Sequence, residues 1–325
     1  MRLVLSVFAV AAVLSACAKD PDNQENGTGG KVTSTGGTVG TGGKIVSTGG
    51  AVGSGGKVGT GGTSSAGGSS QPPNSVACND VASMVATVTD PFGSSTVVLD
   101  SNSSKSYYFM ANWWGKASGG STPTPTEAIS GLGFTVNNTK NESSADNNPM
   151  GFPTLFIGAY QGKPGKGSNL PKQVSALTSV PTIFKTNSSS LDTSNLNATY
   201  DVWFTTNGTV SGTSPGTGGA YLMVWLFKPS KRQPRGSIAR SGQTIDNVPG
   251  VWNVWYDNTN PPCVSYVAVQ PVDELQFDLN DFIKDSVANK WGVTTSQSLT
   301  VVFAGTEVWG GGNGFQVKQF CVDVK

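Results

Sequence analysis

The chain has 325 residues, with 21 basic against 20 acidic side chains and no histidine. So even a balance gives no field that favours nucleic acid or an anionic membrane surface, and the missing imidazole excludes Ser-His-Asp and Cys-His triads, histidine metal ligands and histidine bases. Only 13% of residues are charged, which with abundant Gly, Ser, Thr and Asn suits an extracellular β-rich protein.

Residues 1–17 read as an export signal. Arg2 supplies the positive start and "LVLSVFAVAAVL" the apolar core, and Leu14, Ser15 and Ala16 then precede Cys17. This ending resembles a bacterial lipobox, which implies that Cys17 is lipidated and becomes the mature N-terminus. An ordinary signal peptide with a chance cysteine is the alternative. The apolar run from 3 to 14 is too short to span a bilayer, so the membrane contact expected is through a lipid anchor only, at the outer membrane or cell surface.

Residues 18–74 read as a disordered linker rich in Gly, Thr and Ser. "TGG" or "SGG" recurs from Thr28 to Thr60 at irregular spacings, with too little apolar bulk to build a solenoid core. Gly-rich chain scaling gives such a tether an rms span of roughly 40 Å.

Residues 75–325 are enough for one sizeable core. Segments rich in Val, Tyr, Phe, Trp and Thr alternate with Gly, Asn, Ser and Pro clusters: "STVVLD", "SYYFMANWW", "PTLFIGAYQG", "ATYDVWFTT", "AYLMVWLF", "VWNVWYDN", "CVSYVAVQ", "SLTVVFAG" and "GFQVKQFCVDV". The pattern predicts an all-β, two-sheet sandwich with a concave groove. One short helix is predicted in "DLNDFIKDSVANK", where Asp278 can cap the N-terminus and Leu279, Phe282, Ile283 and Val287 share a face. Lipidation of Cys17 would leave Cys78, Cys263 and Cys321, of which Cys78 with Cys321 would tie the first strand to the last and leave one thiol over.

Side chains alternate along a strand, so Tyr221, Met223 and Trp225 fall on one face, as do Phe303, Gly305, Glu307 and Trp309, and Asn112 with Trp114. Aromatic rings beside amide and carboxyl groups are how a groove holds pyranose rings. The plain alternative is that these aromatics are core.

The order of "NWWG", "GFPTLFIGAY", "SALTSVPT", "YDVWF", "YLMVWL", "VWNVWYD", "DLNDFIKD" and "AGTEVWGGG" over roughly 200 residues resembles glycoside hydrolase family 12, the jelly-roll endo-β-1,4-glucanases and xyloglucanases. That resemblance implies a β-glucan partner, such as cellulose, xyloglucan or mixed-linkage glucan, a monomer, and no cofactor or metal. It implies that Asn112 and Trp114 line a sugar subsite, with Met223, Trp225 and Trp309 as further substrate contacts. Glu307 would be the general acid/base and Asp201 the carboxylate beside the nucleophile. The family's nucleophile is a glutamate in a segment like Glu-Leu-Met-Ile-Trp-Leu, and the matching position here holds Tyr221.

A retaining glycosidase needs two carboxyl groups about 5 to 5.5 Å apart, one of them to attack the anomeric carbon. With Tyr221 in that place three readings stay open: tyrosine as nucleophile with Asp201 as its base, Asp201 activating a water in an inverting hydrolase, or a groove that binds polysaccharide without cleaving it. No Asp or Glu lies between Asp201 and Asp246 to rescue the pattern by a shift. Asp273 and Glu274 are expected to face solvent or cap a turn, with no role at the site, and Lys228, Lys231, Arg232 and Arg235 to form a solvated basic loop.

Overall fold

The computed structural model describes residues 18–19, 76, 85–89, 96–99, 105–113, 126–139, 148–161, 165–210 and 212–325. Cys17, Cys78, Trp114 and nearly all of the expected linker lie outside them. The chain divides into two units: 23–71, which is wholly outside the described residues, and 1–22 with 72–325.

Two sheets form the sandwich. The larger runs β13 (Ser237–Gln243), β14 (Trp252–Asp257), β15 (Cys263–Ala268), β11 (Ala220–Trp225), β10 (Thr199–Thr205), β17 (Ser298–Gly305), β7 (Thr154–Gly158), β4 (Ser106–Met110) and β3 (Thr96–Leu99), with β8 (Lys172–Gln173) against β17. The smaller runs β16 (Glu274–Asp278), β9 (Pro181–Thr186), β18 (Gln316–Val322), β6 (Gly133–Asn137), β5 (Thr126–Ser130) and β2 (Val85–Val88). Their neighbours are antiparallel except β11 and β15, which are parallel. A third pairing joins β1 (Ala18–Lys19) to β12 (Gln233–Pro234), so the first two residues of the expected linker are extended against the basic loop.

Strict alternation on β10 and β11 decides which residues make the core. Tyr200, Val202 and Phe204, with Leu222, Val224 and Leu226, turn toward the smaller sheet and are fully buried. At the centre the Tyr200 ring meets Phe184, Phe277 and Phe320 edge-on at 5.3, 5.5 and 6.0 Å. Its hydroxyl is 3.1 Å from the Thr182 hydroxyl, so the ring's apolar area is buried without stranding its polar end. Each ring of this size removed from water contributes roughly 1.5–3 kcal/mol.

The predicted helix, α1 (Leu279–Ala288), starts where Asp278 accepts a hydrogen bond from the Asn280 N–H at 2.9 Å. Leu279, Phe282 and Ile283 enter the core and Val287 packs at its margin. Cys263 on β15 and Cys321 on β18 are both disulfide-bonded, so the leftover thiol expected from the sequence is neither of them.

The opposite face of the larger sheet carries the other parity. Asp201 and Trp203 from β10, Tyr221, Met223 and Trp225 from β11 and Phe303 from β17 all lie here, next to Trp309.

Candidate active site

Register fixes the neighbours of Asp201. It stands opposite Met223 on β11 and Phe303 on β17, while Trp203 stands opposite Tyr221 and Val301. Asp201 and Tyr221 are therefore diagonal neighbours on one face, within side-chain reach.

Glu307 follows β17. Gly305 ends that strand where an added Cβ would lie 2.2 Å from the Pro153 carbonyl oxygen, so only glycine lets the strand close against β7 immediately before the acid. Val308 then bridges both Gly151 and Leu196. Asn197 holds the glutamate twice over: its Nδ2 donates to Oε2 at 2.5 Å, and its Oδ1 accepts from the Glu307 N–H at 2.8 Å. Glu307 is fully buried, and its Oε1 has no hydrogen-bond partner.

Burial pushes the Glu307 carboxyl up to about 8; the Asn197 bond opposes the rise and the charge on Asp201 adds to it. Asp201 is also pushed up by burial, to about 7, with the nearby Trp203 indole and the Arg235 charge acting against the rise. The Trp203 N–H has no hydrogen-bond partner, so its influence on Asp201 is one of proximity. Asp201 Oδ1 is likewise buried and unpartnered. Two electrostatically coupled carboxyls, each with one free oxygen, therefore share this face.

Tyr221 meets Trp203 edge-on, with centroids 5.5 Å apart at 88°, and the Arg235 guanidinium lies 5.7 Å from its ring centre. Burial and the Asp201 charge hold its phenol well above the ordinary range, with Arg235 and Ser214 opposing. The phenol is neutral, and no hydrogen bond joins it to Asp201. A tyrosine nucleophile needs such a base within reach.

The remaining predicted contacts divide. Met223, Trp225 and Trp309 lie on this face, with Trp225 and Trp309 tilted at 50° and 6.3 Å apart. They are buried rather than open, at 1%, 0% and 0% exposure, which departs from an open groove. Asn112 has a left-handed φ of 52° and a buried Nδ2 without a partner. Its carbonyl accepts from the Phe152 N–H at 3.0 Å, which ties it to the segment whose Gly151 bridges Val308. Trp113 instead enters the sandwich core and donates to Glu127 Oε1 at 2.5 Å. Trp114 lies outside the described residues.

The basic loop is a correction. Lys228 and Lys231 are exposed as expected, but Arg232 is 5% exposed and lies 5.8 Å from the centre of the Trp309 ring. With Arg235 over Tyr221, both arginines sit against site aromatics instead of in solvent, Arg235 being held there by Asp257 and the Pro261 carbonyl. Asp273 caps a turn by accepting from the Ser189 N–H at 2.9 Å, and Glu274 pairs with Lys185 at 3.0 Å; neither reaches the site. Sequence reading missed Asn197. Its one signal is positional: Thr199 pairs with Gly305, so two residues outward Asn197 must face Glu307.

The profile described as "Glycosyl hydrolase family 12" matches residues 105–325. Probable xyloglucan-specific endo-beta-1,4-glucanases A from Aspergillus flavus and Aspergillus oryzae are each 28% identical over 154 residues, 47% of this chain. The chain spans 61% of the length of those curated relatives. Among solved structures, endoglucanase cel12A from Rhodothermus marinus is similar at 26% identity with a TM-score of 0.59, covering 67% of this chain and 92% of its own. A native family 12 xyloglucanase from Bacillus licheniformis shares the fold at 20% identity and a TM-score of 0.60, covering 74% of this chain and 100% of its own.

Proposed function

Since the chain belongs to glycosyl hydrolase family 12, we propose that it hydrolyses β-1,4-linked glucan of the cellulose or xyloglucan type with Asp201 and Glu307 as its working pair. The observation that carries this is the pair itself: two buried, coupled carboxyls on one face, each with an oxygen left unpartnered. Unpaired buried carboxyls cost stability, and this spacing of titration suits an acid and a base.

Glu307 keeps its proton through neutral pH and gives it to the glycosidic oxygen as the C–O bond breaks. Asp201, ionised above about 7, takes a proton from the water whose oxygen forms the new bond to the anomeric carbon. Configuration inverts, and no nucleophile is required at 221. Tyr221 then packs the floor of the site.

Tyr221 also favours a second reading. Where the family places its nucleophilic glutamate, this chain has a neutral phenol, and a protein that binds β-glucan without cleaving it follows from that directly. Incubating the mature chain with hydroxyethylcellulose and xyloglucan separates the two: new reducing ends select the hydrolase, and retardation in a glucan-containing gel without new ends selects the binding protein. Tethering belongs to the same proposal, as a monomer anchored through lipid on Cys17 at the outer membrane or cell surface. Cys17→Ser should abolish lipid labelling and release the protein from the membrane fraction; unchanged labelling would dispose of the anchor.

A further inference from the structure

The stretch "RQPRG" brings a cation to the active face by a route that backbone chemistry dictates. Pro234 follows Gln233 in β12, and Gly236 adopts φ +87°, where an added Cβ would lie 2.1 Å from the Tyr256 carbonyl oxygen. No L side chain fits there. The turn therefore presses Arg235 against β14. Its Nε lies 2.5 Å from Asp257 Oδ2, an ionic contact whose N–H does not point along the line to the oxygen. Its Nη2 donates to the Pro261 carbonyl at 2.8 Å. Asp257 is itself fixed, since its Oδ1 accepts from the Thr259 N–H at 3.0 Å. The guanidinium is left lying over the Tyr221 ring, which also meets Trp203 edge-on.

We propose that Arg235 is a positioning residue of this site: held by Asp257 and Pro261, its guanidinium lies over the Tyr221 ring, fixes that ring against Trp203 and keeps a cation beside the face that carries Asp201. The catalytic part of this rests on Asp201 acting as the base. The titratable groups around Asp201 are Tyr160, Tyr221, Glu307 and Arg235. Both phenols are neutral and Glu307 can add only negative charge. Among the described residues Arg235 is thus the cation that acts on Asp201, and it does so against the larger effect of burial. Arginine suits the role because it stays charged at every relevant pH and stacks flat on an aromatic ring.

The test follows the Asp201 carboxyl carbon by NMR through a pH titration of the mature chain. Arg235→Gln should raise the Asp201 midpoint by about one pH unit, the low end of what an opposite charge supplies, and Arg235→Lys should leave it within a few tenths. The double variant Arg235→Gln with Asp257→Asn removes both charges of the ion pair and should still raise it. Asp257→Asn alone leaves Arg235 uncompensated and should lower it, which gives a readout even if the glutamine variant does not fold. An unchanged midpoint in the double variant, a rise with Asp257→Asn, or equal shifts with lysine and glutamine would each overturn the proposal. In an active enzyme the acid limb of kcat/KM should move in step with these midpoints. Absence of hydrolysis in the wild type would defeat the reading of Asp201 as base and leave the titration to decide on Arg235.

Discussion

Asn197 grips Glu307 at both ends, donating Nδ2 to Oε2 at 2.5 Å and accepting the backbone N–H at 2.8 Å. One carboxyl oxygen is thereby committed to orientation, and Oε1 is left for substrate. Asn197→Ala should lower kcat about 10- to 100-fold with little change in KM, as expected for a hydrogen bond to an ionisable group worth roughly 1.5–3 kcal/mol. Steady-state kinetics on a soluble β-glucan checks this; unaltered kcat would mean that the strand bridge at Val308 suffices to hold the acid.

The pH profile follows from the same pair. In the proposed mechanism turnover needs Asp201 ionised, which holds above about 7, and Glu307 protonated, which holds below about 8. A narrow bell with its optimum between those limbs is expected in kcat/KM, the two limbs belonging jointly to the coupled pair. Activity that climbs steadily toward pH 5 would show that these carboxyls do not carry the proton transfers.

Glu127 offers a stability test away from the site. It is fully buried, with Oε1 on the Trp113 indole N–H and Oε2 unpartnered. Burial pushes it up from an ordinary 4.5 to about 7, the Trp113 bond opposing. Because the folded value is the higher one, its contribution is fully present below pH 4.5 and is lost as pH rises through 7. At about 1.4 kcal/mol per pH unit this is on the order of 3 kcal/mol. Glu127→Gln keeps an acceptor for Trp113 and removes the titration. Urea unfolding at pH 5 and pH 8 should show the variant losing less stability across that interval than the wild type; equal losses would refute the assignment.

Tyr221 distinguishes the mechanisms. On this account the hydroxyl does no chemistry, so Tyr221→Phe should keep activity within about threefold, well under 1 kcal/mol of barrier. Tyr221→Glu places a second carboxyl diagonal to Asp201, and a fluorinated glycoside should then label residue 221, as read by mass spectrometry. A wild-type protein labelled at Tyr221 would instead make the phenol the nucleophile.

What the sequence disclosed and what it hid have physical reasons. The two faces of "AYLMVWL" were legible because Tyr221, Met223 and Trp225 alternate with Leu222, Val224 and Leu226, and the helix because Asp278 precedes an apolar face. Strand β13, "SIARSGQ", was not, since six of its seven residues are exposed and no apolar period marks it. Arg235 read as solvated because its burial depends on strands that close beside it only in the fold. Asn197 was hidden for a like reason: its partner lies 110 residues away. In the run "NWW", Trp113 turns into the core to reach Glu127, and Asn112 holds a left-handed φ that no sequence period announces.

The central claim is that Asp201 and Glu307 suffice as base and acid, and the configuration of the first product tests it most directly. Proton NMR recorded during hydrolysis of a β-1,4-gluco-oligosaccharide should show the α-anomer of the new reducing end appearing first, and Asp201→Asn should yield no product. A β-anomer appearing first, or an Asp201→Asn variant that still turns over at the wild-type rate, would contradict the account.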